Sequence, residues 1–164
     1  MLLFRGDIVR KIAVITQGVK LHDEKGYTRF AYIANFLVEN GFQVDLITSS
    51  FQHWEKAQRN LGEFNQDLKY NVIFIEEPGY KKNIDSRRIK SHRVFADNLK
   101  KYLVNKSYDL VYFEIPPNNM ARVAVDYAEQ MGIPCIADVN DLWPEAMKMI
   151  LDIPLISDIL FYPL

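Results

Sequence analysis

The sequence has a single cysteine, Cys135, among its 164 residues. One thiol can form neither a disulfide framework within the chain nor a cysteine-based zinc site. No apolar run approaches the roughly 18 residues of a membrane-spanning helix, and the run before Arg5 is too short for a signal peptide. These absences predict a cytoplasmic, soluble domain. We expect Cys135 to be buried, because it lies within an apolar strand.

Several nucleotide-binding and catalytic motifs are also missing. The first loop contains Gly18 and Gly26 but no G-x-G-x-x-G, and the second predicted strand ends in Thr48-Ser49-Ser50 without an acid for a ribose. NAD binding is therefore disfavoured, and so is an NAD-dependent nucleotide-sugar epimerase. Walker A, H-E-x-x-H and G-x-S-x-G sequences are absent.

The three histidines, His22, His53 and His92, lack the spacing of metal ligands. The sequence thus predicts neither a metal nor any other cofactor. His53 follows the second predicted strand and is a candidate substrate contact, whereas His92 is expected on a helix surface.

The near-neutral total charge of -1 conceals a strongly basic segment. Between Lys81 and Lys106 there are nine Lys or Arg residues against two acids, so this segment carries about +7. Such a segment attracts phosphates or acidic lipid head groups, although a basic run is often only a solvated face. Nothing in the composition points to nucleic acid.

Alternating apolar runs and helical patterns organise the chain. Strands are predicted at 11–16, 42–48, 70–75, 110–113 and 133–139, and helices at 28–40, 86–105 and 120–131, with two short helices between 51 and 69. Strands that alternate with helices predict an α/β fold with a doubly wound, Rossmann-like parallel sheet. Its ligands should bind beyond the carboxyl ends of the strands.

The loop after the fifth predicted strand has the most distinctive chemistry. Asp138 and Asp141 lie at or just past the strand, and carboxylates here can orient or deprotonate a sugar hydroxyl. Trp143 offers an apolar platform for a sugar ring, and Glu145 follows in the first turn of the next helix. The alternative is that Asp141 caps that helix and Trp143 belongs to the core.

The first loop leads into a helix with two further candidates. Gly26 would let backbone N–H groups approach an anion at the helix N-terminus, or it is a plain turn residue. Arg29, in the first turn, opposes the helix dipole, which favours a functional role.

The stretch 138–145, D-V-N-D-L-W-P-E, closely resembles the D-x-x-D-L-W-P-E signature of a branch of family 4 glycosyltransferases. The opening G-Y-T-R at 26–29 and G-F-Q-V-D-L-I-T-S at 41–49 are similar to that family's R…L…G-H-x-V-x-V-I-T pattern, and Pro116-Pro117 resembles its S-P-P turn. The resemblance covers about residues 11 to 150. This sequence has Phe42 where the family commonly has His, and Asn140 where close relatives often have Arg.

The resemblance implies the N-terminal, acceptor-side half of a GT-B enzyme. Residues 1–164 would form one domain with a core at about 10–150, and 151–164 would begin a connection to a donor-binding domain absent from this chain. The full-length enzyme would be a retaining, metal-independent hexosyltransferase of capsular polysaccharide, exopolysaccharide or lipopolysaccharide synthesis. This chain alone would be inactive.

The resemblance also implies partners and roles. The substrates would be a nucleotide sugar and a saccharide acceptor on a lipid diphosphate, at the inner face of the plasma membrane. Asp141 would orient or deprotonate the acceptor hydroxyl with support from Asp138. The cleft would further contain Gly26, Tyr27, Arg29, His53, Pro116, Asn140, Trp143 and Glu145. The lipid diphosphate or membrane would meet Lys81, Lys82, Arg87 and Arg88.

A rival hypothesis is a non-catalytic binding or regulatory module on the same fold, because fold does not determine function. A receiver-like version is weak, since the first strand ends in Thr16-Gln17 rather than in an acidic pair.

Overall fold

The computed structural model describes residues 10–21, 24, 28–62, 68–83 and 85–141. In chain order the elements are β1 (Lys11–Ile15), α1 (Arg29–Glu39), β2 (Gln43–Ser49), β3 (Phe51–Gln52), β4 (Ala57–Gln58), β5 (Asn71–Ile75), α2 (Ser86–Leu103), β6 (Leu110–Ile115), α3 (Asn118–Met131) and β7 (Cys135–Val139). Among the described helices, none is long and apolar enough to cross a membrane.

Five parallel strands form a sheet in the order β5-β2-β1-β6-β7. The central strand β1 reads Lys-Ile-Ala-Val-Ile and its last four residues are buried, as expected for a strand covered on both faces. The chain leaves β1 toward β2 and β5, then returns to the other side of β1 for β6 and β7. The order therefore reverses beside β1, and the predicted doubly wound, Rossmann-like sheet is confirmed.

The helices cover both faces of this sheet. On one face, α1 buries Phe30, Ala31 and Ala34 against alternate side chains of β1 and β2. On the other face, α2 and α3 bury a set that includes Phe95, Leu99, Met120 and Ala124. Full burial of one large apolar side chain contributes roughly 1.5–3 kcal/mol, so these two layers are the main source of stability.

Local signals set where the helices begin and end. The Asp85 carboxylate accepts a 2.9 Å hydrogen bond from the Arg87 backbone N–H and caps α2. Gly132 ends α3 in the left-handed conformation, with φ of 64°, which a glycine adopts without steric cost.

A polar cluster lies near the amino ends of the central strands. Asp45 in β2 accepts hydrogen bonds from Asn71 at 2.9 Å and Tyr108 at 2.8 Å, and pairs with Lys11 at 2.7 Å. Burial raises the pKa of Asp45, but these three partners outweigh it and lower the pKa below its ordinary value. The cluster ties β1, β2 and β5 together at the edge opposite the predicted site.

Two expectations are wrong. The two short helices predicted between 51 and 69 are replaced, in the part the structure describes, by a hairpin of β3 and β4 with a tight turn. Cys135 is exposed rather than buried. It begins β7, which pairs only with β6 among the described strands, so its apolar neighbours in sequence do not signify burial.

Candidate functional site

A cavity of about 560 Å³ opens at the carboxyl edge of the sheet. Its walls come from the segments that follow β1, β2, β5 and β7, the end of β6 and the segment after it, the first turn of α1 and the first two turns of α2. The lining residues are Gln17, Gly18, Arg29, Phe51, His53, Trp54, Glu77, Tyr80, Arg88, His92, Glu114, Pro116, Pro117, Asn140 and Asp141. Polar and aromatic groups dominate this list, which suits a ligand with both hydroxyl groups and apolar faces.

Polar residues lie where neighbouring strands end at this edge of the sheet: Thr16 and Asp138 are buried and Glu114 is half-buried. Glu114 in β6 is in register with Asp138 in β7, and Thr16 follows β1 next to Glu114. Alternation along β6 places Glu114 on the face of Tyr112, the side covered by α1. The apolar residues of each strand are thus followed, at its carboxyl end, by polar residues that can bind a ligand or transfer a proton.

Glu114 is the most perturbed carboxyl group of the cavity. It accepts a hydrogen bond from the Thr16 hydroxyl, and the Asn140 amide donates to its other oxygen at 3.4 Å. Burial raises the pKa of Glu114 to about 7, and the hydrogen bonds offset only part of that effect. This carboxyl group can therefore either accept or donate a proton near neutral pH.

A second carboxylate, Glu77, is fully engaged by its neighbours. Gln17 Nε2 donates to both of its oxygens at 2.8 and 2.9 Å, and the hydroxyls of Ser49 and Ser91 donate as well. Ser91 Oγ in turn accepts from the Gly79 backbone N–H at 2.7 Å. The network ties β1, β2, α2 and the loop after β5 into one rigid wall.

Tyr80 is the centre of an aromatic and basic group in the same wall. Its ring centroid lies 5.8 Å from that of His53 and 5.9 Å from that of His92, and its hydroxyl hydrogen-bonds His53 Nδ1 at 2.5 Å. Lys56 Nζ and Arg88 Cζ lie 5.0 and 5.6 Å from the ring centroid. Both cations are within the range of favourable cation–π contact.

The two imidazoles of this group are held neutral. Burial, then Lys56 and Arg88, lower the pKa of His53 to about 4, and burial, then Arg88 and His53, lower that of His92 to about 3. Burial also raises the pKa of Tyr80 to about 12 and lowers that of Arg88. The positive charges of Lys56 and Arg88 thus disfavour protonation of His53, and that of Arg88 disfavours protonation of His92.

Trp54 supplies a partly exposed aromatic face in the turn between β3 and β4. A Cβ added to Gly18 would lie 3.6 Å from the indole, which packs beside the first loop. Its ring centroid lies 5.5 Å from that of His53, and Lys20 Nζ is 5.5 Å from the indole centroid. An exposed indole at a cavity rim can stack against the apolar face of a sugar ring.

Arg29 connects the start of α1 with the end of β7. Its guanidinium lies 2.8 Å from Asp138 and donates to Asn140 Oδ1 at 3.0 Å. Asp138 also accepts a 2.6 Å hydrogen bond from Tyr112, whose pKa rises to about 12 through burial and this carboxylate. The Asp138 carboxylate is therefore already paired with Arg29 and Tyr112, whereas Asp141 lines the cavity and is exposed.

No protein-family model matches the sequence, and no curated protein matches it. Among solved structures, the kitacinnamycin glycotransferase superposes with a TM-score of 0.57 at 13% identity, over 93% of this chain and 36% of that one. The C-terminal domain of the PF1911 hydrogenase from Pyrococcus furiosus superposes with a TM-score of 0.52 at 16% identity, over 84% of this chain and 97% of that domain. The chain has the Rossmann-like α/β fold that these structures share. At these identities the likenesses show the fold alone, and this chain spans 36% of the glycotransferase.

This fold brings six of the predicted site residues together. All six line the cavity, although they come from five separate parts of the chain: Arg29, His53, Arg88, Pro116, and the adjacent pair Asn140 and Asp141. Four other predicted residues, Gly26, Tyr27, Trp143 and Glu145, lie outside the described part of the chain, as does His22. Their roles stay predictions.

Other predicted residues lie elsewhere. Lys81, Lys82 and Arg87 are exposed and do not line the cavity, and Asp138 is buried without lining it. The prediction for His92 is wrong: this residue was expected on the surface of α2, but it is 8% exposed and lines the cavity. Its position one turn after Arg88 places it on the same side of α2.

Sequence reasoning gave no role to Glu114 and placed Glu77 only in a charged loop at this edge, with Tyr80, Lys81 and Lys82. A signal existed: each is a carboxylate at the carboxyl end of an apolar strand, as Asp138 is. Trp54 and Phe51 were missed because the hairpin that carries them was predicted as helix. Among the described residues, no group of three or more His, Cys, Asp or Glu is arranged to hold a metal ion.

Proposed function

We propose that this chain is the acceptor-binding domain of a retaining GT-B glycosyltransferase that elongates a lipid-diphosphate-linked saccharide in surface polysaccharide synthesis. The observation that carries the proposal is the cavity of about 560 Å³, where carboxylates and amides face aromatic rings. A pyranose ring needs both, since its hydroxyls require hydrogen-bond partners and its C–H faces stack on aromatic side chains. The likeness to a glycotransferase over 93% of this chain supports the same assignment.

The cavity residues suggest how an acceptor would be held. Trp54 at the rim would stack against the sugar ring, and Asn140 and Asp141 would accept or donate hydrogen bonds at its hydroxyls. Arg29, with Gly26, would lie toward the donor phosphates, and Asp138 would support the site by fixing Arg29 and, through it, Asn140. Tyr27, Trp143 and Glu145 would complete the pocket.

In the proposed transfer, the acceptor oxygen forms a bond to the anomeric carbon of the donor sugar. The bond from that carbon to the phosphate oxygen breaks, and the nucleoside diphosphate leaves with the electron pair. The hydroxyl proton passes to the Asp141 carboxylate. Because the chain spans 36% of the glycotransferase it resembles, the donor would be bound by a second domain. The enzyme would work at the cytoplasmic face of the membrane.

Ligand binding by the 164-residue chain tests the proposal. NMR shifts and calorimetry would compare a short-chain polyprenyl-diphosphate sugar with UDP-sugars. Shifts at Trp54, Asn140 and Asp141 with the acceptor analogue, and weak effects with UDP-sugars, are the expected result. Asp141→Asn should weaken acceptor binding, whereas Asp126→Asn, an exposed carboxylate on α3, should not. Tight binding of a nucleotide alone would overturn the assignment of this half.

A second candidate function is a non-catalytic binding module. The likeness to the C-terminal domain of the PF1911 hydrogenase, of which 97% is covered, supports this candidate because it indicates that the fold is not restricted to glycosyltransferases. The genomic reading frame distinguishes the two functions. Continuation into a second α/β domain of about 150–200 residues with two spaced glutamates supports the transferase. In that longer protein, Asp141→Ala should abolish transfer and leave the fold intact.

A further inference from the structure

We infer that Glu114 contacts the ligand of the cavity in its protonated form. In this arrangement the neutral carboxyl group donates a hydrogen bond to an oxygen of an uncharged sugar, and binding takes up a proton from solution. The inference deepens the proposed function, on which it rests for the sugar. The role of Glu114 itself follows from its place in the cavity and from its neighbours.

Two carboxyl groups lie at the ends of neighbouring strands on this edge of the sheet. Glu114 in β6 is in register with Asp138 in β7, so the two side chains lie on the same face of the sheet. Glu114 lines the cavity and is half-buried, whereas Asp138 is buried and does not line it. A ligand that enters the cavity would therefore meet Glu114 and not Asp138.

The two carboxyl groups differ in the partners that surround them. Asp138 is paired with the Arg29 guanidinium at 2.8 Å and accepts a hydrogen bond from Tyr112 at 2.6 Å. The groups that hydrogen-bond Glu114 in the described part of the chain are all uncharged: the Thr16 hydroxyl, the Asn140 amide and the backbone of Gln17 and Gly18. A cation thus keeps Asp138 ionised, whereas the neutral partners of Glu114 leave it able to hold a proton.

The charged groups around Glu114 come from other elements of the site. Arg29 of α1 and Asp138 of β7 are paired with each other, and Asp141, which follows β7, interacts with Arg88 of α2. Burial is the largest influence on Glu114 itself, and it raises the pKa of this carboxyl group to about 7. Free Glu114 therefore exchanges a proton near neutral pH.

A ligand that fills the cavity would remove water from the half-buried Glu114. Further loss of hydration disfavours the charged form, so the proton affinity of this carboxyl group rises on binding. The hydroxyls of a sugar bring no charge to balance a carboxylate, whereas a protonated carboxyl group offers one O–H donor beside an acceptor oxygen. Asn140 donates to Oε1 of Glu114 at a long 3.4 Å, so Oε1 is the oxygen that we expect to face the sugar.

Carbon-13 NMR of the glutamate side chains tests the free protein without any ligand. We expect the Glu114 carboxyl signal, identified by its loss in Glu114→Gln, to titrate with a midpoint near pH 7. Thr16→Val removes a hydroxyl that stabilises the carboxylate, so it should move the midpoint to higher pH. The histidines of the cavity do not interfere, because the pKa values of His53 and His92 are about 4 and 3.

Calorimetry with the 164-residue chain tests the contact with the ligand. The probes are a short-chain polyprenyl-diphosphate sugar and the methyl glycoside of the same sugar. We expect affinity to fall about tenfold or more from pH 6 to pH 8.5, with proton uptake detected as a heat that depends on the buffer. Glu114→Gln carries a neutral amide and should bind more tightly than the wild type at pH 8.5, without either effect. Glu129→Gln, at an exposed carboxylate on α3, should retain both.

The inference is overturned if Glu114 titrates together with the exposed glutamates, if affinity is the same at pH 6 and pH 8.5, or if Glu114→Gln takes up as much proton as the wild type. If a probe binds while any of these results is found, the proposed function stands and the protonated contact fails. If Glu114 titrates near pH 7 but neither probe binds at any pH, the proposed function fails and the contact with a sugar fails with it.

Discussion

The Arg29 guanidinium lies 2.8 Å from the Asp138 carboxylate, and the two side chains differ sharply in exposure, at 48% and 6%. This pair joins α1 to the end of β7. Because the carboxylate is buried and the guanidinium is half in water, loss of either partner has unequal consequences. Asp138 thus acts on the cavity through Arg29 and Asn140.

We expect Arg29→Gln to lower the free energy of unfolding by about 1–3 kcal/mol, since it leaves a buried carboxylate supported mainly by Tyr112. Asp138→Asn should cost less, about 1 kcal/mol, because the released guanidinium is hydrated. Urea unfolding at neutral pH measures both values. A larger cost for Asp138→Asn than for Arg29→Gln would contradict this account of the pair.

Position 79 favours glycine for two reasons, its backbone conformation and the side chain that packs against it. Its φ is +76°, and an added Cβ would lie 2.4 Å from Phe51 Cδ2, a ring that is buried against Tyr80. Gly79→Ala is expected to destabilise the fold by about 2–4 kcal/mol. Gly41→Ala is the matched control: its φ is +86° but nothing lies within 4 Å of the added atom, so about 1 kcal/mol is expected. Thermal unfolding of the two variants separates strain from collision, and similar costs would refute the collision.

Glu114 should make stability fall as pH rises. Its pKa goes from 4.5 in the unfolded chain to about 7 in the folded one. Between these values the folded state holds a proton that the unfolded state has lost, so the free energy of unfolding decreases with pH by on the order of 3 kcal/mol. Glu114→Gln removes this contribution and should gain stability over the wild type from pH 4 to pH 8. Urea unfolding across that range measures it; parallel curves, as expected for the exposed control Glu129→Gln, would refute it.

His92 should have the opposite effect. Its pKa is about 3 in the folded state against 6.5 unfolded, so below pH 6.5 the unfolded chain binds a proton that the folded chain does not. Stability is therefore lost as pH falls, on the order of 3 kcal/mol by pH 4. In acid titrations followed by circular dichroism, His92→Gln should lose less stability than the wild type between pH 7 and pH 4. Equal acid sensitivity would show that His92 is protonated in the folded state at those pH values.

The doubly wound fold was predictable from the sequence because its signals are local. Buried parallel strands appear as continuous apolar runs, and residues such as Gly41 and Gly132 end helices through their own backbone preference. The location of the site followed from the same pattern, since the carboxyl ends of parallel strands share one edge. Asp141 was singled out in this way, whereas Asn140 was included through the resemblance of residues 138–145 to a family signature.

Tertiary structure alone decided which groups at that edge act together. The partners Thr16 and Glu114 are 98 residues apart, and Gln17 and Glu77 are 60 apart, so no window of sequence contains either pair. Burial then determines the chemistry of individual side chains. It raises the pKa of the Glu114 carboxyl group to about 7, and it lowers the pKa of His92 to about 3, so that His92 is a neutral donor in the cavity wall. Desolvation and long-range contacts exist only once the chain has folded, and sequence pattern carries no record of either.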